Sequence, residues 1–452
     1  MAKLVKKYRG SLSGEHGDGI VRSEFIPLVV GRKNYECFKS IKTVFDPQKI
    51  FNPGKIVDPY PMDQKLRTET KETPIQETRF DFSPDQGLLR AAEKCNGAGQ
   101  CRSVKPSGTM CPSYRATRDE QHNTRGRANV LREVLNQNKQ PNAFDSEALK
   151  KVFDLCLSCK ACATECPSSV DIATYKAEFL YQYQKVNGSP LSAKVFAHIG
   201  KLNALTAPVS GIQNYIFRQK IPRHLMASLL GISPKRRFPV LNKSLYKELK
   251  NNKLNNPIKS VYLYLDEFSN YNETHIGRAA VELLEALGYE VKFLPPTESG
   301  RTYISKGFLK EAQRCADENI ALYSQVISDD TPLLGIEPSA IYTFIDEYPK
   351  LASDPELAKK LASNCLLIDQ FLANEIDLGH IQAGSFHLEE KEIKIHAHCY
   401  QKALGQPSDT FKIMNLPKNY KVSLLNTGCC GMAGSFGYEK EHYEISMKIG
   451  EE

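Results

Sequence analysis

Two kinds of apolar pattern divide the chain. In its second half, hydrophobic residues come in short, nearly unbroken runs, Val261-Tyr-Leu-Tyr-Leu265 and Ile393-Lys-Ile-His-Ala397. Runs of that length and composition predict buried strands. In the middle of the chain, Arg125-Gly-Arg-Ala-Asn-Val-Leu-Arg-Glu-Val-Leu135 and Ala173-Thr-Tyr-Lys-Ala-Glu-Phe-Leu-Tyr181 carry apolar residues at helical spacing. Each predicts an amphipathic helix. Lys440–Glu452 reads as one more helix. No apolar run approaches the ~18 residues that a membrane-spanning helix needs.

The two strand runs open two copies of one unit. Residues 261–300 and 393–431 both read as strand, helix, turn and second strand. Leu284-Glu-Ala-Leu-Gly-Tyr-Glu-Val-Lys-Phe-Leu aligns with Met414-Asn-Leu-Pro-Lys-Asn-Tyr-Lys-Val-Ser-Leu. Glu298-Ser299-Gly300 then stands where Cys429-Cys430-Gly431 stands. Glu267 and Glu298 are 31 residues apart, and Cys399 and Cys429 are 30. Repeated strand–helix–strand units predict an α/β layer with sites at strand ends.

Charge marks a further boundary. The 452-residue chain carries a formal net charge of +8, but residues 187–260 hold thirteen Lys/Arg and only Glu248 as an acid. Their local net is +12, leaving −4 for the rest. With its prolines and the polar run Lys250-Asn-Asn-Lys-Leu-Asn-Asn256, this stretch reads as a connector with short helices. It is either a solvated basic face or a docking surface for anionic headgroups or an acidic partner. No nucleic-acid-binding motif accompanies it, so nucleic acid is not expected as a partner. Residues 63–86, polar and rich in Thr and Glu, read as a second linker. The expected domains are thus 1–62, 87–186, the basic connector 187–257, and 258–452. Mean hydropathy is −0.41. No apolar export signal follows Met1, which points to the cytoplasm, with peripheral contact at the inner face of the membrane as the variant that the basic connector would allow.

Cysteine usage changes the picture most. There are thirteen, an odd number, and seven lie between Cys95 and Cys166. Clustered cysteines without an export signal read as metal ligands. Cys156-Leu-Ser-Cys159-Lys-Ala-Cys162-Ala-Thr-Glu-Cys166-Pro167 is C-x2-C-x2-C-x3-C-P, in which three thiolates grip one iron–sulfur cluster and the fourth serves another. Zinc sites more often use two separated pairs. An earlier segment supplies the complementary half: Cys95, Cys101 and Cys111-Pro112. Cys95 and Cys101 repeat the six-residue step from Cys156 to Cys162, with Ala98 in the middle cysteine's place. The crossover rule assigns Cys156, Cys159, Cys162 and Cys111 to a [4Fe–4S] cluster. Cys95, Cys101 and Cys166 form a three-thiolate site for [3Fe–4S], or for [4Fe–4S] with a non-cysteine ligand. Arg115, Arg118, Arg125 and Arg127 could offset the clusters' negative charge. Cys37, Cys315 and Cys365 read as packing residues.

These motifs carry family resemblances. Residues 87–186 resemble the α-helical ferredoxin domain of the succinate dehydrogenase iron–sulfur subunit. The C-terminal repeat resembles the CCG domain of heterodisulfide reductase and of glycolate and lactate oxidation iron–sulfur proteins. That resemblance implies a further cluster or redox site at Cys399, Cys429 and Cys430, beside His396 and His398, while the first copy has no cysteine at matching places. Gly10-Ser-Leu-Ser-Gly14-Glu15-His16-Gly17-Asp-Gly19 and Phe45-Asp-Pro-Gln-Lys-Ile-Phe-Asn52-Pro53-Gly54-Lys55-Ile56 resemble the C-terminal end of FAD-linked 2-hydroxy acid oxidases. From it follow His16 as a base near the flavin, Glu15 as a holder of a divalent metal that grips the substrate carboxylate, and Asn52, Gly54 and Lys55 at the cofactor. A histidine base and a charge-offsetting metal suit alcohol oxidation by hydride loss.

The chain as a whole resembles fused FAD oxidase–ferredoxin–CCG dehydrogenases of the D-2-hydroxyglutarate, D-lactate or glycolate type. The implied fold class is multidomain α+β. The implied function is electron relay from FAD through iron–sulfur clusters to a quinone, electron-transfer flavoprotein or similar carrier. Only nine residues precede the first oxidase motif, so the chain is expected to be a fragment lacking the FAD-binding domain. The competing reading is a stand-alone electron-transfer subunit that pairs with a separate flavoprotein.

Overall fold

In the computed structural model, the described residues are 1–65, 76–104, 108–137, 142–250 and 257–451. They divide into two compact units, Met1–Pro74 and Ile75–Glu452.

Among the described residues, the first unit has four helices, Ala2–Lys7, Gly19–Ser23, Ile26–Val30 and Arg32–Phe45, followed by a turn-rich segment. The Asp46 carboxylate ends the last helix: it accepts from the Ile50 and Phe51 amides at 2.8 and 2.9 Å and pairs with Lys42 at 2.6 Å. Few of the unit's apolar side chains are covered. Ile26 and Tyr35 are buried, whereas Val21, Ile41, Val44, Phe45, Ile50 and Phe51 are exposed. Cys37 is exposed as well, which corrects its reading as a packing residue. It lies on the outer side of a helix that buries only Tyr35.

The second unit begins with a correction. Part of the stretch 63–86 lies outside the described residues, but its end is not a loose linker. Phe80 and Phe82 are buried, the Arg79 and Phe80 amides donate to the Glu178 carboxylate, and the Asp81 amide donates to the Lys350 carbonyl. Two aromatic side chains outweigh the polar composition that suggested a tether.

Helices Leu88–Glu93, Pro112–Thr117, Thr124–Gln137, Glu147–Asp154 and Ile172–Asn187 follow. The long Ile172–Asn187 helix is capped by Asp171, whose side chain accepts from the Thr174 amide. Its buried residues include Tyr175, Phe179 and Tyr183. The same apolar core holds Cys95, Cys101, Cys111, Cys156, Cys159, Cys162 and Cys166. The basic connector is helical at Leu191–Ala197, Ile199–Thr206, Ser210–Arg218, Lys220–Leu229 and Leu245–Leu249.

The α/β part contains six strands, β1 (Lys259–Tyr264), β2 (Tyr289–Lys292), β3 (Leu333–Gly335), β4 (Cys365–Leu367), β5 (Lys391–Ile395) and β6 (Tyr420–Leu424). The first four form a parallel sheet in the order β2-β1-β3-β4, and β5 and β6 pair in parallel separately. Val261 pairs with Val291, and Ile393 with Val422. Both copies of the repeat are therefore parallel strand–helix–strand units. Cys315 and Cys365 are buried. The helix from Pro338 widens into a π-helical turn at Thr343–Glu347 before continuing to Leu351.

Candidate metal centre

The motif Cys156–Cys166 starts where helix Glu147–Asp154 stops. Ser158 and Lys160 both take left-handed backbone angles, at φ 53 and 62. Each costs a non-glycine residue about 1–2 kcal/mol, and together they curl the chain into a loop ahead of the short helix Ala161–Glu165. Cys111 takes the same conformation, at φ 54, just before Pro112 opens the next helix. Its sulfur receives the Thr124 amide and lies against the Thr124 hydroxyl, both at 3.1 Å.

The thiols gather in two adjacent groups. Burial pushes the Cys162 thiol well up, and Asp171, Cys156 and Cys111 add to it. Cys159 is raised by burial and then by Cys429, Cys162 and Cys156. The structure thus brings Cys111 up to Cys156, Cys159 and Cys162, although 45 residues separate Cys111 from Cys156. Cys101 is raised by burial and then, beyond the lowering effect of the Arg125 amide, by Cys95 and Cys166. That amide donates to its sulfur at 3.4 Å. Cys111 also senses Cys101, which joins the two groups.

This donor set fits iron–sulfur clusters. Several thiols share one apolar core with no disulfide between them. As bare thiolates they would repel one another in low dielectric. Backbone N–H groups aimed at sulfur and a cationic metal core would offset that charge. Arg127 is buried and adds positive charge near Cys111, while donating to the Val152 carbonyl and the Ser113 hydroxyl. Arg115 is also buried and donates to the Gly108 carbonyl, whereas Arg118 is exposed. Ala98 sits between two left-handed glycines, Gly97 and Gly99, in a turn closed by Asn96 accepting the Ala98 amide at 3.0 Å.

The C-terminal thiols form a third group. The Cys399 and Cys429 sulfurs are 3.4 Å apart, the Gly431 amide donates to Cys429, and the Cys430 thiol shares a hydrogen bond with Cys429. Lys402 donates to the Thr427 and Gly428 carbonyls, and His396 shares a hydrogen bond with Thr427. His398 caps the Cys399–Leu404 helix, and burial lowers its imidazole to about 4. Since Cys429 acts on Cys159, this group lies next to the first. A cavity of about 320 Å³ is lined by Thr109, Glu165, Lys402 and Thr427, next to both the ferredoxin-like loops and the Cys429 loop.

The first repeat closes the matching place with oxygen instead of sulfur. The Ser299 amide and hydroxyl both donate to the Glu267 carboxylate, at 3.0 and 2.8 Å. Gly300 and Gly431 share the same left-handed backbone, at φ 77 and 79.

Lys160 went unnoticed in the sequence. It stands between two cysteines of the motif and is 1% exposed. Its ammonium lies 2.7 Å from Asp346, 3.2 Å from Asp171 and 3.3 Å from Glu347, and donates to Thr174 at 2.9 Å. Asp346 and Glu347 come from the π-helical turn, and Glu347 also pairs with Arg301 at 2.6 Å. The Tyr400 hydroxyl donates to the Ser158 carbonyl. The cysteine loop is thus pinned by the π-helical turn between the repeats and by Tyr400 of the second repeat. A lysine flanked by cysteines reads as solvated, and nothing local signals its partners.

A second charged clamp holds the chain's last helix. The His442 imidazole lies between Asp154 at 2.9 Å and Glu439 at 2.8 Å and stacks on Phe436. Burial disfavours its charge, but the two carboxylates outweigh that and raise it to about 9. Its folded pKa lies above the usual 6.5, so its stabilisation is complete below pH 6.5 and fades as pH rises through 9. Hydrogen exchange of Tyr443–Gly450 is expected to speed up across that window in the wild type. His442→Gln should show fast exchange already at the low-pH end, with a flatter profile.

In the first unit, Glu15 and His16 bond to each other at 2.8 Å and are both largely exposed. Asn52 and Gly54 lie in a left-handed turn, where a side chain at Gly54 would strike the Tyr60 ring, and Lys55 is half-buried beside it.

Residues 1–56 match the family described as FAD linked oxidases, C-terminal domain. Residues 91–170 match the 4Fe-4S dicluster domain. Among curated proteins, the chain is similar to the D-2-hydroxyglutarate dehydrogenases of Pantoea ananatis, at 26% identity over 99% of this chain and 47% of the relative, and of Pseudomonas putida, at 28% over 100% and 48%. It is also similar to one of the subunits of the anaerobic glycerol-3-phosphate dehydrogenase of Escherichia coli, at 24% identity over 63% of this chain and 72% of the relative. The chain spans about half the length of the D-2-hydroxyglutarate dehydrogenases it matches. No solved structure matched it.

Proposed function

We propose that this chain is the iron–sulfur relay portion of an FAD-dependent 2-hydroxy acid dehydrogenase, passing electrons to a quinone, an electron-transfer flavoprotein or a similar carrier. The observation that carries the reading is the meeting of Cys111 with Cys156, Cys159 and Cys162 beside the group Cys95, Cys101 and Cys166. The chemistry such groups supply when bound is hydride acceptance at the flavin and one-electron conduction at the clusters.

The residues have separate tasks. Cys111, Cys156, Cys159 and Cys162 would hold a [4Fe–4S] cluster, and Cys95, Cys101 and Cys166 a second one of [3Fe–4S] or [4Fe–4S] type. Cys399, Cys429 and Cys430, next to Cys159, would extend the route as a third metal or thiol site. Glu15 bonds to the His16 imidazole, and His16 would take the substrate hydroxyl proton, with a divalent metal at Glu15 gripping the carboxylate. Asn52, Gly54 and Lys55 would contact the cofactor. The many exposed apolar side chains of residues 1–62 support packing of this unit against more of an oxidase domain.

Anaerobic purification with iron, acid-labile sulfide and EPR quantification tests the reading. Two separable cluster signals are expected, and zinc without sulfide would overturn it. The likeness to a single component of a dehydrogenase made of several chains favours a second reading, an electron-transfer subunit bound to a separate flavoprotein. A stable complex of two chains on size-exclusion chromatography would select it. Ala98→Cys offers the three-thiolate group a fourth ligand. After reconstitution its EPR spectrum is expected to move toward that of a four-thiolate [4Fe–4S] cluster, and an unchanged spectrum would count against the placing of Ala98 at the missing ligand position.

A further inference from the structure

The connector helices leave an apolar side uncovered. Leu202, Leu205, Val209, Ile212 and Ile216 recur at steps of three and four along Ile199–Thr206, Ala207–Val209 and Ser210–Arg218, and all five are exposed. Ile221, Leu225 and Leu229 follow at steps of four on Lys220–Leu229 and are exposed too, Ile221 at 83% and Leu225 at 70%. The residues these helices turn toward the protein are a few apolar ones, Phe217 stacked on Phe238 and Met226 packed beside Leu230, together with small or polar ones. Asn203 is buried and donates to Asn272, the Asn214 side chain donates to the Leu241 carbonyl and accepts its amide, and Ala207, Ser210 and Ala227 are buried. A helix on a water-exposed surface carries its apolar stripe on the opposite side, and a contiguous exposed stripe marks an interaction surface.

The charge around the stripe says what covers it. Residues 187–247 contain no Asp or Glu. Arg218 and Lys220 are exposed at the junction of the last two helices, and Arg223 and His224 lie one turn further on. Tyr215 is exposed on the same segment. Apolar side chains flanked by basic residues and a tyrosine, with no acids, complement an interface of acyl chains under anionic headgroups. Among the described residues no helix is long and apolar enough to cross a membrane. The geometry therefore assigns Leu202–Leu229 as an in-plane docking surface for an anionic lipid bilayer. Combined with the relay reading, it favours a lipid-dissolved quinone as electron acceptor.

The test is cosedimentation of the full-length protein with vesicles of phosphatidylcholine and phosphatidylglycerol in equal parts, and with phosphatidylcholine alone. Binding to the anionic vesicles is expected, weakened by salt and at least tenfold weaker for phosphatidylcholine alone. Ile221→Ser with Leu225→Ser is expected to lower the anionic partition at least tenfold, and Arg218→Gln with Lys220→Gln several-fold. Both double variants should keep the wild-type circular dichroism and iron content, because these side chains are exposed. Absence of vesicle binding, or binding that neither variant weakens, overturns the assignment. So does size-exclusion behaviour in which the apolar variant dissolves a self-association while vesicles bind nothing, since the face then belongs to a second copy. None of these outcomes bears on cluster content, so failure here leaves the relay reading to its own test.

Discussion

Cys159→Ala is expected to abolish the [4Fe–4S] spectrum while leaving the three-thiolate group partly loaded. Cys159 is enclosed by Cys156, Cys162 and Cys429. Its removal leaves the first group three thiolates and no nearby replacement on its own loop. Iron should fall by about one cluster, ~4 atoms per chain, while signals from the Cys95, Cys101 and Cys166 group persist. That group draws on residues either side of the mutated loop, and the Arg125 amide holds Cys101 independently. Loss of both signals together would count against the crossover pairing or against the independence of the two groups.

Lys160→Met is expected to destabilise the protein by about 3–5 kcal/mol, because removing one partner leaves buried charge uncompensated. Asp171, Asp346 and Glu347 all face the Lys160 ammonium, and Arg301 and Lys350 satisfy only part of what remains. Methionine fills the same space, so packing is retained and the loss is electrostatic. The denaturant midpoint of the cluster-free protein measures it without interference from iron. Adding Asp171→Asn should restore part of the loss by removing the carboxylate left with the most distant remaining cation, Lys350 at 3.8 Å. A single variant as stable as the wild type would mean that water reaches the pocket and that the pinning of the cysteine loop is weak.

The sequence carried some of this plainly. The spacing of Cys156, Cys159, Cys162 and Cys166 marks their loop whatever surrounds it, because three sulfurs on one cluster demand that step. The helix around Val130 showed its period, since it buries one face, whereas the helix around Lys176, expected to be amphipathic, is covered nearly all round from Ile172 to Tyr183 because the core encloses it. The strand around Val261 was legible as a run of apolar residues. Strands β3 and β4 were not, since three residues leave no alternation to read. Phe80 and Phe82 were hidden by their polar neighbours, and Cys37 gives no sign of which side of its helix meets solvent. Lys160 illustrates the general limit. Its role depends on Asp346 and Glu347, far along the chain and brought to it by a π-helical turn that no local pattern announces. The exposed apolar side of the connector helices is a similar case: their period was visible in principle, but only the fold tells which side faces inward.

The Glu267–Ser299 closure sets the two strand-end loops apart in what they respond to. The first is completed by a carboxylate, a hydroxyl and a backbone amide, with nothing inorganic required. Its geometry is therefore expected to be indifferent to iron supply and to oxidation, whereas the loop of Cys399, Cys429 and Cys430, with sulfur in the matching place, would answer to both.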